Sequence, residues 1–151
     1  MSEDESRTLP DPNLYFKGGG KDLFTLDKNY EKVNPQKKID LAFAAEKEIL
    51  GKDERIISVS TAYYDGLNER VMVTSNGFEG DSSSSHFGIH SSVSVKSNNA
   101  RPEASWSESS IFFDGLKTKG TSNKALERAI NKIGQKKLPS GKMLMIVENK
   151  K

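Results

Sequence analysis

The sequence predicts an α+β fold in which an antiparallel four-stranded meander is flanked by two helices and followed by a short C-terminal strand. Apolar residues recur at helical spacing over 35–50 and again over 121–133, whereas between these stretches the period falls to two. Three pairs of turn residues, Asp65-Gly66, Asn76-Gly77 and Asn98-Asn99, divide the alternating stretch into four runs, for which sequential hairpins are the simplest connection. Hydrophobic residues make up 34% of the 151 positions and charged residues 29%, enough apolar material for one modest core without disulfides or structural metals.

Residues 1–34 read as an extended arm or linker, and residues 35–151 as one domain. The arm carries Glu3, Asp4, Glu5 and Asp11, then Leu9-Pro10-Asp11-Pro12 and Gly18-Gly19-Gly20, with little periodicity. Asn13 to Gly18 looks like an imperfect engineered cleavage sequence, but Lys17 stands where that sequence has glutamine.

Asn34 can accept an orphan amide hydrogen bond as N-cap, and Pro35 has no amide to lose at the first helical position. Ile39, Ala42, Phe43, Ala45, Ile49 and Leu50 then form an apolar stripe, and Gly51 offers the left-handed residue that ends the helix. From Arg55, Ile57, Val59, Thr61 and Tyr63 alternate with Ser58, Ser60 and Ala62 as a first strand. Asp65-Gly66 is the expected turn into a second short strand, Arg70 to Thr74, and Asn76-Gly77 is the next reversal. Over Ser85 to Val95, Phe87, Ile89, Val93 and Val95 share one face and His86, Gly88, His90, Ser92 and Ser94 the other. The fourth strand takes Ala104, Trp106 and Phe112 on one side and Ile111 and Phe113 on the other, with Pro102 holding its start at an edge or bulge.

Thr121 or Ser122 caps the second helix, whose buried stripe is Ala125, Leu126, Ala129, Ile130 and Ile133 and whose exit is Gly134. After a turn at Leu138-Pro139-Ser140-Gly141, Met143 to Val147 reads as a buried strand, apolar on both faces. It ends abruptly in Glu148-Asn149-Lys150-Lys151, which points to truncation before a covering segment.

The composition excludes several classes of chemistry. Without cysteine there is no disulfide scaffold, thiolate zinc site or thiol nucleophile. The acidic start, Met1 to Ser6, lacks a signal peptide's apolar run, and no stretch reaches the length of a membrane span, so a cytoplasmic protein without a membrane partner is expected. From Lys117 onward ten Lys or Arg stand against Glu127 and Glu148. Spread along a helix without interleaved aromatics, they read as a solvated basic face rather than a nucleic-acid footprint.

The tempting catalytic letters are treated the same way. His86 and His90 have HxxxH spacing, but on a strand four steps separate them by about 13 Å, too far to share one metal, and Phe87 stands where a base would be needed. Asp81, Ser82 to Ser85 and His86 spell a triad within one segment, which reads as a flexible loop lip. Gly18-Gly19-Gly20-Lys21 follows no strand and lacks phosphate-loop spacing, so it reads as a joint. Tyr63, Tyr64, Phe87, Trp106, Phe112 and Phe113 read as core rather than base-stacking residues. No residue is assigned to catalysis, to a cofactor or to a metal.

Several segments together resemble the TldD/PmbA family: Leu9-Pro10-Asp11-Pro12, Val33-Asn34-Pro35, Asp53-Glu54-Arg55-Ile56, Thr74-Ser75-Asn76-Gly77-Phe78-Glu79-Gly80 and Lys136-Lys137-Leu138-Pro139-Ser140-Gly141-Lys142. The resemblance implies the middle region of a protein that works in a peptide-degrading complex of TldD-type and PmbA-type (TldE-type) partners, once described as modulators of DNA gyrase. Only the TldD type carries a zinc motif, HExxxH, which would fall beyond Lys151, so no catalytic position carries over and zinc is expected only in the full-length complex. The arm and the Asn76 turn look more PmbA-like. The expected role is a non-catalytic structural and interaction region, with Asn76, Gly77, Phe78 and Glu79 as its contact surface for a partner subunit or peptide. Two alternatives stay open: a nucleic-acid-associated module, and the supporting domain of a zinc-dependent TldD-type protease.

Overall fold

A computed structural model describes residues 7–18, 22–98 and 100–147. The acidic residues 1–6, the joint residues Gly19, Gly20 and Lys21, Asn99 and the last four residues lie outside them. The α+β class is observed, but the four-strand meander is not. The sheet has three antiparallel strands in sequential order: β1 (Ile56–Val73), β2 (Glu79–Val95) and β3 (Glu103–Ser110).

The missing fourth strand comes from a turn that does not form. Asp65 and Gly66 lie inside β1, opposite Phe87 and His86, and the first two expected strands are one strand of 18 residues. Tertiary contacts claim both turn residues. The Asp65 carboxylate accepts from Tyr63 Oη at 3.0 Å and Tyr30 Oη at 3.4 Å, and it pairs with Lys38. Gly66 lies under the His86 ring, where a Cβ would sit 2.3 Å from Cε1; Gly88 lies under the Tyr64 ring, where a Cβ would sit 2.2 Å from Cζ. These glycines give flat rings room on a straight ribbon, a use of strand glycine that competes with turn formation. The reversal falls at Asn76-Gly77 as expected, with Thr74 N donating to Phe78 O at 2.9 Å and Gly77 at φ +90°.

Ser82 to Ser85 is not a loop lip. The run belongs to β2, paired with Arg70, Glu69, Asn68 and Leu67. The two faces read from Phe87 to Val95 are observed: Phe87, Ile89, Val93 and Val95 are buried together with Ser91. β3 stops at Ser110, and Phe113 enters a short 3-10 turn instead of extending the strand.

Helix α1 (Pro35–Lys47) starts as expected, the Asn34 side chain accepting from Gln36 N at 2.8 Å. Only Ala45 of the helix and Ile49 just beyond it are buried; Ile39, Phe43 and Leu50 remain exposed because α1 rests on β1 along a narrow strip. Helix α2 (Thr121–Asn131) packs on β2 and β3, and its Ala125, Leu126 and Ala129 join Ile49, Val93, Val95 and Ala104 in the core.

The α2 cap also departs from expectation. Gly120, at φ 89°, is the N-cap, and Thr121 and Ser122 lie within the helix, buried. Ser122 Oγ donates to Ser91 Oγ at 2.9 Å. The capping acceptor comes from the end of α1: the Glu48 carboxylate accepts from Gly120 N at 2.8 and 3.0 Å and from Asn123 Nδ2 at 3.0 Å. A carboxylate there complements the positive end of the helix dipole. Glu48→Ala is expected to lower stability by about 1 kcal/mol, as for loss of an N-cap, in urea denaturation followed by circular dichroism.

Met143 to Val147 is not a buried strand. The run has no regular structure and is 59 to 91% exposed, since no described strand edge pairs with it. Residues 7–18 and 22–34 of the arm form only two 3-10 turns, Pro12–Leu14 and Tyr30–Lys32, yet their second half is not a free linker. Ser85 N donates to Thr25 O at 2.9 Å, and Asp27 is buried against the sheet.

Candidate interaction surface

The third strand covers only part of the hairpin. β3 pairs with β2 from Phe87 to Ser94, so beyond Asp65 and Phe87 the two long strands continue as a two-stranded ribbon. Alternation places Leu67, Glu69, Val71 and Val73 on the helix-side face of β1, and Asn68, Arg70 and Met72 on the other. Val71 and Val73 are 77% and 67% exposed. β1 contains no proline or lysine, residues that commonly blunt a strand edge.

Asn76, Gly77, Phe78 and Glu79 form the ribbon's tip and the first position of β2. Thr74 Oγ1 donates to Asn76 Oδ1 at 2.6 Å and accepts from Phe78 N at 3.1 Å, fixing the turn. The Phe78 ring lies over Gly80, where a Cβ would be 2.9 Å away, and meets Tyr15 edge-on at 5.2 Å between centroids. Asn76 Nδ2 donates to Pro10 O at 2.8 Å. The arm therefore docks against the tip, and a cavity of about 230 Å³ opens between Leu14, Tyr15, Phe16, Met72, Thr74 and Phe78. Sequence reasoning missed the arm's share of this surface. The apolar trio Leu14-Tyr15-Phe16 inside a polar arm was the available signal.

At the ribbon's root, Lys38, Tyr30 and Tyr63 gather around Asp65. Burial, followed by the hydrogen bond to Asp65, pushes the Tyr63 hydroxyl well above the ordinary tyrosine range; burial and the Asp65 charge raise Tyr30 as well. The resulting stabilisation is complete below the unfolded tyrosine pKa of about 10 and is lost as pH rises from there towards the elevated folded values. Ultraviolet tyrosinate titration should show Tyr63 and Tyr30 ionising late, and Asp65→Asn should bring Tyr63 down.

The residues of the tempting motifs do not converge. Alternation turns Asp81, Ser83 and Ser85 to one face and Ser82, Ser84 and His86 to the other, so Asp81 and His86 cannot share a triad. His90 Nδ1 lies 2.8 Å from Ser107 Oγ, His86 covers Gly66, and among the described residues no three His, Cys, Asp or Glu side chains could hold a metal. This donor set does not fit zinc. The aromatics divide: Phe87 and Phe113 are buried, Tyr63 and Trp106 half-buried, and Tyr64 and Phe112 exposed, the first on the uncovered face and the second past the end of β3. The basic residues of α2 and its C-cap Lys132 turn back onto the sheet. Lys124 Nζ sits 3.9 Å and the Arg128 guanidinium 5.3 Å from the Trp106 ring centre, and Lys132 Nζ donates to Glu103 O at 2.7 Å.

Fold and surface together define an α+β domain built around a projecting hairpin, with two helices closing one face of its inner half. Residues 28–133 match the family model described as the PmbA/TldA metallopeptidase central domain, and the chain belongs to this PmbA/TldD family. It is similar to a crystal structure from Bacteroides thetaiotaomicron, a candidate modulator of DNA gyrase, with 44% identity and a TM-score of 0.86 over 93% of this chain and 32% of that one. A second structure, from Thermotoga maritima and described in the same terms, shows 28% identity and a TM-score of 0.68 over 84% of this chain and 30% of that one. The chain thus spans about a third of the length of these solved proteins. None of the curated proteins compared with it matches.

Proposed function

We propose that this chain is a non-catalytic structural and interaction region of a PmbA/TldD-type peptidase assembly in the cytoplasm. The ribbon and its tip, Asn76 to Glu79, are the surface that meets a partner subunit or peptide. The observation that carries this reading is the ribbon itself, which runs past β3 with Val71 and Val73 open to solvent. A hairpin that a domain's own core does not need is suited to burial against a second surface. Membership of a metallopeptidase family supports the peptide context. Among the described residues no helix is long and apolar enough to cross a membrane.

The packing of Lys124 and Arg128 on Trp106 favours this reading over a nucleic-acid-associated module, because those cations are engaged by the chain's own sheet. The purified chain, incubated with zinc and a fluorogenic peptide mixture, is expected to leave the peptides intact. Zinc-dependent cleavage of the peptides by the chain alone would overturn the proposal.

A further inference from the structure

Asn76-Gly77, at the ribbon's tip, is the only place in the sequence where glycine follows asparagine. Glycine has no side chain to shield its amide nitrogen, so that nitrogen can attack the side-chain carbonyl of the asparagine before it, and asparagine is for this reason a labile residue. The pair stands at the open end of the hairpin, with Asn76 half-buried and Gly77 exposed to water.

Three hydrogen bonds hold the two reacting groups. Gly77 N donates to Thr74 O at 3.1 Å, which engages the attacking atom. Asn76 Oδ1 accepts from Thr74 Oγ1 at 2.6 Å, and Nδ2 donates to Pro10 O at 2.8 Å. A turn of the side chain that carries Cγ towards Gly77 N gives up bonds at one end or both. Two of the three bonds lie within the turn itself. The third belongs to the arm, which Tyr15 clasps against the Phe78 ring. Between residues 7 and 18 the arm holds one 3-10 turn and no strand, the kind of segment that opens locally while the sheet stays folded.

We propose that Asn76 is a site of spontaneous deamidation whose rate the arm controls: docked, it holds the amide still, and lifted, it frees Cγ for Gly77 N. A bond forms between Gly77 N and Asn76 Cγ, the Cγ–Nδ2 bond breaks, and the proton lost from Gly77 N is returned through solvent to the departing nitrogen, which leaves as ammonia. Water then opens the cyclic imide at either carbonyl and gives aspartate or isoaspartate. Either product sets a carboxylate oxygen against Pro10 O where an amide donor stood, so acceptor meets acceptor and the arm loses its bond to the tip. Isoaspartate also lengthens the backbone inside the turn that fixes the register of β1 on β2. Arm release and deamidation therefore promote each other. Any effect on a partner rests on the reading of the tip as a contact surface, whereas the reaction itself needs no partner.

The test incubates the full chain in mildly alkaline buffer, native or unfolded in guanidinium chloride, and follows trypsin digests by mass spectrometry. The peptide from Val71 to Lys96 contains Asn76 as its sole amide side chain, so an amide-to-acid mass gain there reports this site. The native chain is expected to react about tenfold more slowly than the unfolded one, as anchoring worth about 1.4 kcal/mol provides. Tyr15→Ala, with the circular dichroism of the sheet unchanged, should bring the native rate most of the way to the unfolded one. Asn76→Asp should be cut by trypsin at Lys17 sooner than the parent. No reaction in the unfolded chain, equal rates in the native and unfolded chains, or a Tyr15→Ala rate equal to the native one would each overturn the proposal. Equal resistance of Asn76→Asp and the parent at Lys17 would overturn the link to the arm, and this arm of the test stands even where Tyr15→Ala loosens the sheet. None of these outcomes bears on cross-linking of the ribbon to a partner, so failure here is distinguishable from failure of the interaction reading.

Discussion

Phe87→Ala is expected to destabilise the chain by about 3 to 5 kcal/mol, the cost of deleting a buried aromatic ring and leaving its cavity. Phe87 is fully buried where β3 leaves β2, with Tyr30 at 5.5 Å and Phe113 at 5.6 Å between ring centres. It joins three separate segments, the arm, the sheet and the turn after β3, so their packing should loosen together. For a domain whose total stability lies in the ordinary range of about 5 to 15 kcal/mol, such a loss leaves a large unfolded fraction at 37 °C. Urea denaturation measures it. A loss under about 1 kcal/mol would mean that the arm and the Phe113 turn do not close over the ring.

Asp27→Ala is expected to release the arm. Asp27 N donates to Ser85 Oγ at 2.7 Å, and its carboxylate accepts from Asn29 N at 2.9 Å and Phe113 N at 3.0 Å. Ser85 Oγ passes the link on to Ile111 O at 2.9 Å. Removing the carboxylate strands a buried amide, with an expected cost of about 2 to 3 kcal/mol. Limited proteolysis should then cut within residues 22–34 well before the sheet is lost. Equal resistance of the variant and the parent would show that the arm is held elsewhere.

Much of the fold was legible from local chemistry. Asn34-Pro35, the face shared by Phe87, Ile89, Val93 and Val95, and the Asn76-Gly77 reversal are written within a few residues each, and all three are observed. The errors arose where distant residues decided the outcome. Asp65-Gly66 carries turn chemistry, but Lys38, Tyr30 and the His86 ring hold it in mid-strand. The cap of α2 sits on Glu48, more than seventy residues away, so Thr121 and Ser122 looked like the only candidates. At the candidate surface, the four tip residues were named from a family-like turn. Their partners Pro10 and Tyr15 lie in an arm without periodicity, and only the folded chain brings them to Phe78.

The most direct test of the ribbon's role is photocross-linking from Val73, carried on a benzoylphenylalanine in the protein co-expressed with the proposed PmbA/TldD-type partner. Val73 is exposed near the tip and lies outside the core cluster, so the replacement should leave the fold intact. The interaction reading predicts a cross-link to the partner or to a bound peptide, suppressed by adding Val71→Asp. Cross-links confined to the parent chain itself would contradict it and make the ribbon an internal brace.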